Sequence, residues 1–206
     1  MTSLYDRYFL PRITDFLCAA GPNGRQREKV IPLATGSVLE IGVGTGLNFQ
    51  YYNPEQVSEV MALDPSEEMW SIANKRLAKL DFPVRYVKGR AENIPVDTNA
   101  IDSIVITYTL CTIPNYIAAF SEFRRVIKPT GAIIFTEHGT APDKSVRRWQ
   151  NTLNPIWRRL GGGCNLNRNI PTMIKNGGFV VEQLESMYIP GFKPASYNYW
   201  GVANPK

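Results

Sequence analysis

An apolar run, Ser37-Val38-Leu39-Glu40-Ile41, passes without a break into Gly42-Val43-Gly44-Thr45-Gly46. The run has the length of a strand, and three glycines at alternate positions after it allow the backbone to turn sharply and to approach a ligand closely. When a helix follows such a turn, its unpaired N–H groups face the same space. This feature predicts a strand, a glycine turn and a helix around a bound molecule. The spacing narrows the choice of molecule. A dinucleotide fingerprint, G-x-G-x-x-G, needs glycine at position 47, and Leu47 stands there, which argues against a nicotinamide or flavin nucleotide.

The rest of the chain places this turn in a recognisable architecture. Apolar runs at Glu59 to Leu63, Arg85 to Lys88, Ile101 to Thr107 and Gly131 to Glu137 alternate with segments of helical spacing. Such alternation predicts an α/β domain on a mostly parallel, Rossmann-like sheet with helices on both faces. Met69, Ile72, Ala73, Leu77 and Leu80 share one helical face, as do Ile117, Phe120, Phe123 and Val126 or Ile127. That second helix is expected to stop near Lys128, with Pro129-Thr130-Gly131 turning into the next strand. Phe179 to Met187 and Tyr197 to Val202 supply two last strands.

Residues 1–206 read as a single domain, because 44% apolar residues without a compositional break suffice for one core. Two segments lie outside the alternation. Residues 1–30 form an N-terminal helical cap, in which Tyr5, Tyr8 and Phe9 precede a short helix begun at Pro11, with Ile13, Phe16 and Leu17 on one face. Residues 139–169 form an insertion after the fifth strand, placed to cover a site.

Composition limits the setting. The apolar runs fall short of the roughly 20 residues a membrane-spanning helix needs, and the N-terminus lacks a secretory pattern, so a cytoplasmic location is expected. Cys18, Cys111 and Cys164 show no paired spacing for a disulfide framework or zinc site, and no metal is expected. A net charge of +5 permits anionic partners. No RNA-binding aromatic module and no Asn-Pro-Pro-Tyr-type motif accompanies it, so nucleic acid is not an expected partner.

Further polar positions extend the site. Glu40, at the end of the first strand, can meet an amino group. Asp64 closes the second strand roughly 20 residues beyond the glycines, where a carboxylate accepts hydrogen bonds from ribose hydroxyls. Gly89-Arg90-Ala91-Glu92-Asn93-Ile94-Pro95 follows the third strand and can border an adenine ring.

From Ser37 to about Phe179 these motifs, in this order, resemble the class I S-adenosylmethionine-dependent methyltransferases. The resemblance implies a seven-stranded sheet with one antiparallel strand and S-adenosylmethionine as cofactor. It sets Gly42, Gly44 and Gly46 along the methionine part, Asp64 at the ribose, and Ala91 with Glu92 at the adenine. Glu40, Asn48, Pro65, Met69 and Thr107 complete the expected donor surroundings. Arg90 departs from the family, where many members carry an Asp near the adenine amine. Leu110-Cys111-Thr112, Glu137-His138 and the stretch from Gly161 to Arg168 resemble a narrower branch that includes thiol S-methyltransferases. Animal members of that branch carry an N-terminal membrane anchor, which is not expected here.

Methyl transfer is an in-line displacement, so positioning supplies most of the catalysis and a strong base is optional. His138, the only histidine, ends the fifth strand where ligands of open α/β sheets bind, and is the candidate to face the acceptor. Tyr108 and Cys111, beyond the fourth strand, are the other acceptor-side candidates. The expected acceptor is a small molecule, a thiol first. A phospholipid or quinone acceptor, or a module that binds the cofactor without turnover, are the competing expectations. Arginines at 147, 148, 158, 159 and 168, interleaved with Trp149 and Trp157, admit a peripheral contact with membrane lipid.

Overall fold

A computed structural model describes residues 9–206; the expectations placed on Tyr5 and Tyr8 fall outside them. Strand-forming runs fold as β1 (Gly36–Ile41), β2 (Val57–Asp64), β3 (Val84–Lys88), β4 (Ile101–Thr107), β5 (Ile127–His138), β6 (Phe179–Tyr188) and β7 (Tyr197–Pro205). They make one seven-stranded sheet in the order β3-β2-β1-β4-β5-β7-β6. β7 runs antiparallel to both of its neighbours and the other pairings are parallel. The chain order reverses between β1 and β4, which opens a crevice at the carboxyl ends of those strands. The glycine turn lies there.

The central strands β1, β2 and β4 are buried over most of their length, as their near-continuous apolar runs require, whereas the edge strand β6 is largely exposed. Alternate residues go to opposite sides. Leu39, Ile41, Ile104 and Ile106 join Phe120 and Phe123 in one core, whereas Val38, Val60 and Val105 join Val30, Ile31 and Phe49 in the other. The first core is closed by α4 (Tyr116–Val126) and α6 (Ile170–Asn176), the second by α2 (Gly21–Val30) and α3 (Glu67–Ala73). Polar side chains start three of these helices: Ser66, Asn115 and Asn169 accept hydrogen bonds from the N–H groups of Met69, Ala118 and Thr172. Each satisfies a donor that the first helical turn leaves unpaired.

Several local expectations need correction. The glycine turn leads to a single 3-10 turn, Phe49–Tyr51, and not to an α-helix. The helix of Met69 to Leu80 is α-helical only to Ala73 and continues as 3-10 turns to Lys79. α4 ends at Val126, and Pro129 to Gly131 lie within β5, whose pairing with β4 is shifted near its start. Ile117, counted on the buried face of α4, is exposed; the helix buries Ala119, Phe120, Phe123 and Val126.

α1 (Leu10–Cys18) contains Pro11 in its first turn as expected. Its apolar residues Ile13 and Phe16 are exposed, at 42% and 79%. The side chain of Leu17, expected on the same face, lies outside what is described; Asp15 of this helix pairs with Arg76 at 3.0 Å and accepts from the Thr45 hydroxyl. The segment after β5 forms α5 (Lys144–Leu160), anchored by buried Gln150, whose amide donates to the carbonyls of Gly139 and Pro194.

The tightest approach in the sheet is at Gly201 of β7, where a Cβ would stand 1.8 Å from the Gln183 carbonyl oxygen. Gly201→Ala is expected to cost about 3 kcal/mol of unfolding free energy. Gly21→Ala, with no atom within 4 Å of the added carbon, should change it by less than about 0.5 kcal/mol. Urea titration of both variants checks the contrast.

Candidate functional site

The cleft at the carboxyl end of the sheet begins with the glycine turn. Gly42, Gly44 and Gly46 all have positive φ, between 54° and 76°. At Gly42 a side chain would also strike Thr109, 2.5 Å away. The turn is fixed from the next strand: Asp64 accepts a hydrogen bond from the Gly44 N–H through one oxygen and from the Ser66 N–H through the other, both at 2.8 Å. Burial raises the Asp64 carboxyl's pKa, and these two N–H donors oppose the rise.

Two connected spaces flank the turn. The larger, about 370 Å³, is lined by Asp64, Pro65, Met69, Arg90, Ala91 and Glu92 on one side and by Tyr108, Thr112, Gly161 and Gly162 on the other. The smaller lies between Glu40, Asn48, Thr107 and Tyr108 and the residues Cys18 and Arg27. Gly42 and Gly44 line both. Gly46 lines neither; it packs on Phe49 and Ala73 behind the turn, so its part is to shape the loop rather than to touch a ligand.

Glu40 is fully enclosed and accepts hydrogen bonds from the Tyr52 hydroxyl at 2.8 Å and the Asn48 amide at 2.9 Å. Asn48 in turn donates to the Thr107 hydroxyl. Burial pushes the Glu40 carboxyl up to about 7, against the pull of those two donors and of Arg27. Sequence reasoning missed Arg27. It is 4% exposed, its Nε has no partner among the described residues, and its guanidinium lies 5.0 Å from the centre of the Tyr108 ring. A carboxylate and a guanidinium on opposite sides of one small space could hold the ammonium and carboxylate of an amino acid. Arg27 had no sequence signal, since an arginine in a charged helix ordinarily faces water.

Tyr108 has φ of 53°, rare for a residue with a side chain and typical of functional loops. Its hydroxyl donates to Asn198 at 2.8 Å, and burial raises its pKa. The ring can wall a ligand, but its hydroxyl is already committed elsewhere. The loop it begins is held by Glu137, another side chain sequence reasoning gave no separate role. One Glu137 oxygen accepts from the N–H groups of Thr109 and Leu110, at 2.5 and 2.8 Å. Burial raises the Glu137 carboxyl to about 7, with both N–H groups pulling against it.

Cys111 and His138 do come together, and Cys164 joins them. His138 Nε2 stands 3.1 Å from Cys164 Sγ, and the three ligand atoms lie within 4.8 Å of one another. Hydrogen bonding from Cys111, then the charge and N–H of His138 and the indole of Trp157, hold the Cys164 thiol well below its usual pKa despite burial. Burial alone would lower the His138 pKa; the Cys164 sulfur and Glu137 outweigh it and raise it.

Residues 39–135 match the family described as "Methyltransferase domain". The chain is 33% identical over 154 residues to thiol S-methyltransferase TMT1B of Rattus norvegicus, covering 72% of this chain and 62% of that protein. It is 32% identical over 176 residues to thiol S-methyltransferase TMT1A of Homo sapiens, covering 83% of this chain and 67% of that protein. The chain belongs to the class I S-adenosylmethionine-dependent methyltransferases. A SAM-dependent methyltransferase from Thermotoga maritima shares the fold, with TM-score 0.66 at 20% identity over 98% of both chains. The seven-stranded sheet is therefore that of this methyltransferase family, and S-adenosylmethionine is its cofactor. The matches extend over about two thirds of the thiol methyltransferases' own lengths.

The residues present fit this cofactor. The unpartnered Arg27 Nε and the Glu40 carboxyl suit its amino acid end, the Asp64 carboxylate its ribose, and the cleft wall of Met69, Ala91 and Glu92 its adenine. A Glu40 carboxyl near 7 makes affinity for a cationic amino group fall as pH drops. Calorimetric titration should show the cofactor binding about tenfold more weakly at pH 5.5 than at pH 7.0, and Glu40→Gln should flatten that dependence.

Proposed function

We propose that this methyltransferase moves the methyl group of S-adenosylmethionine to the sulfur of a small thiol. The similarity to the two thiol S-methyltransferases carries the reading. The acceptor side agrees with it: beside the cleft lies a thiol and imidazole cluster rather than a ring of carboxylates, and thiols ionise readily enough to need little help from a base. The expected division of labour is as follows. Arg27, Glu40, Asn48, Thr107 and the glycine turn hold the methionine end of the donor. Asp64 with Pro65 and Met69 holds the ribose, and Ala91 with Glu92 borders the adenine. Tyr108 walls the transfer point. The 139–169 segment covers the acceptor, and α1, tied by Asp15 over the glycine turn, covers the donor.

The transfer itself is a single displacement. A thiolate sulfur attacks the sulfonium methyl in line; the carbon–sulfur bond of the donor breaks as the new one forms, and two neutral thioethers result. The protein's contribution is to hold the two sulfurs at attack distance and to exclude water from between them. Mass spectrometry of products from mixed alkyl thiols, amines, quinones and phospholipids should show methylthioethers dominating. Asp64→Ala should remove that activity at least about 100-fold through lost donor binding, with circular dichroism unchanged. Methylated quinone or lipid without methylthioether would sink the thiol reading.

Contact with a lipid surface is a second proposal, about where the enzyme works. No helix among the described residues is long and apolar enough to cross a membrane. Trp149, Ile156 and Leu160 nevertheless stand exposed along α5, at 62%, 63% and 63%, with Arg148, Arg158 and Arg159 exposed on the same helix. Apolar residues flanked by arginines suit a helix lying in a bilayer interface. Vesicles containing one quarter phosphatidylserine should co-sediment with the protein. Replacing Trp149, Ile156 and Leu160 together with alanine should reduce the bound fraction by about fivefold or more.

A further inference from the structure

Cys111, His138 and Cys164 reach one point from three separate parts of the fold. Cys111 lies in the loop after β4, His138 ends β5, and Cys164 follows α5. They are held there by polar ties independent of the sulfurs. The Asn165 backbone and side-chain N–H groups both donate to the Cys111 carbonyl, at 3.0 and 2.8 Å. Arg168 donates to the carbonyls of Leu110 and Ile113. Glu137 fixes the other end of the same loop. The loop carrying Cys164 is thus latched to the loop carrying Cys111, and the ligand atoms are pre-positioned. His138 Nε2 faces the Cys164 sulfur, and its Nδ1 is buried with no partner among the described residues.

We propose that Cys111 Sγ, Cys164 Sγ and His138 Nε2 bind a Zn²⁺ ion whose fourth position takes the sulfur of the acceptor thiol. Two thiolates and an imidazole select a borderline or soft cation over Mg²⁺ or Ca²⁺. Around a tetrahedral ion, with bonds of about 2.3 Å to sulfur and 2.0 Å to nitrogen, ligand atoms stand about 3.5 to 3.8 Å apart. The three atoms here lie within 4.8 Å of one another, so closure about the ion requires shifts of about 1 Å or less. Three protein ligands leave one position open, the arrangement of catalytic rather than structural zinc. Thr112, adjacent to Cys111, and Gly161 and Gly162, just ahead of Cys164, form part of the cleft wall. An acceptor thiol entering the fourth position releases its proton to solvent, binds as thiolate, and leaves the ion as a neutral thioether once it has taken the methyl group.

The acceptor half of this inference rests on the thiol reading above, whereas the metal half does not. Protein purified under reducing conditions without chelator should carry about one zinc per chain by plasma mass spectrometry. After exchange with Co²⁺ it should show thiolate charge-transfer bands and the intense visible bands of a tetrahedral site. Cys111→Ser and Cys164→Ser should each lower the metal content at least tenfold while far-ultraviolet circular dichroism and calorimetric cofactor binding persist; Cys18→Ser should retain the metal. Reduced wild type that gives no cobalt bands, or a Cys111–Cys164 disulfide that takes up no cobalt after reduction, overturns the site. Ethanethiol should shift the cobalt spectrum, and chelated enzyme should lose methylation at least tenfold and recover it with Zn²⁺. Full thiol turnover by metal-free enzyme overturns the metal's role and leaves the thiol reading intact. Bound metal with no thiol turned over, and no spectral response to thiol, removes the acceptor half and leaves the site.

Discussion

The two hydrogen bonds that Asp64 accepts, from Gly44 and Ser66, set the geometry on which the whole cleft depends. They join the glycine turn after β1 to the start of α3 after β2, and leave one carboxylate at the centre of both. The same construction recurs along the sheet. Glu40 at the end of β1 gathers Asn48 and Tyr52, and Glu137 near the end of β5 gathers Thr109 and Leu110. At Asp64 and Glu137 loops thus satisfy backbone N–H groups on buried carboxylates, whereas Glu40 accepts from a side-chain amide and a hydroxyl. Such anchoring gives loops at the edge of a sheet the fixed positions that a binding site needs.

The sheet was legible because its central strands are buried and read as apolar runs. The ends of elements were less so. Nothing local marks the change from α-helix to 3-10 turns after Ala73, or the absorption of Pro129 into β5. These depend on packing against the rest of the domain. Ile117, Ile13 and Phe16 show the same limit from the other side: periodicity identifies a face, and tertiary structure decides which of its residues are covered.

Within the site, the donor half was readable and the acceptor half only partly so. The glycines, Glu40 and Asp64 sit close together in sequence, at the ends of adjacent strands, so spacing revealed them. Cys111 and Cys164 are separated by two helices, a strand and their loops, and no local spacing could announce that Asn165 and Arg168 draw them together. Arg27 was hidden for a similar reason, since it comes to Glu40 and Tyr108 from a helix before the sheet begins.

The buried carboxylates have a consequence for the order of events. A donor carrying a sulfonium meets a cleft that includes the carboxyls of Glu40 and Asp64, both buried and both raised above the usual carboxylate range by that burial. A cation above such groups favours their ionised forms and is itself favoured by them. Transfer of the methyl group leaves that sulfur uncharged. The carboxylates then face a neutral atom, and part of the attraction that held the donor is gone at the moment its chemistry is finished.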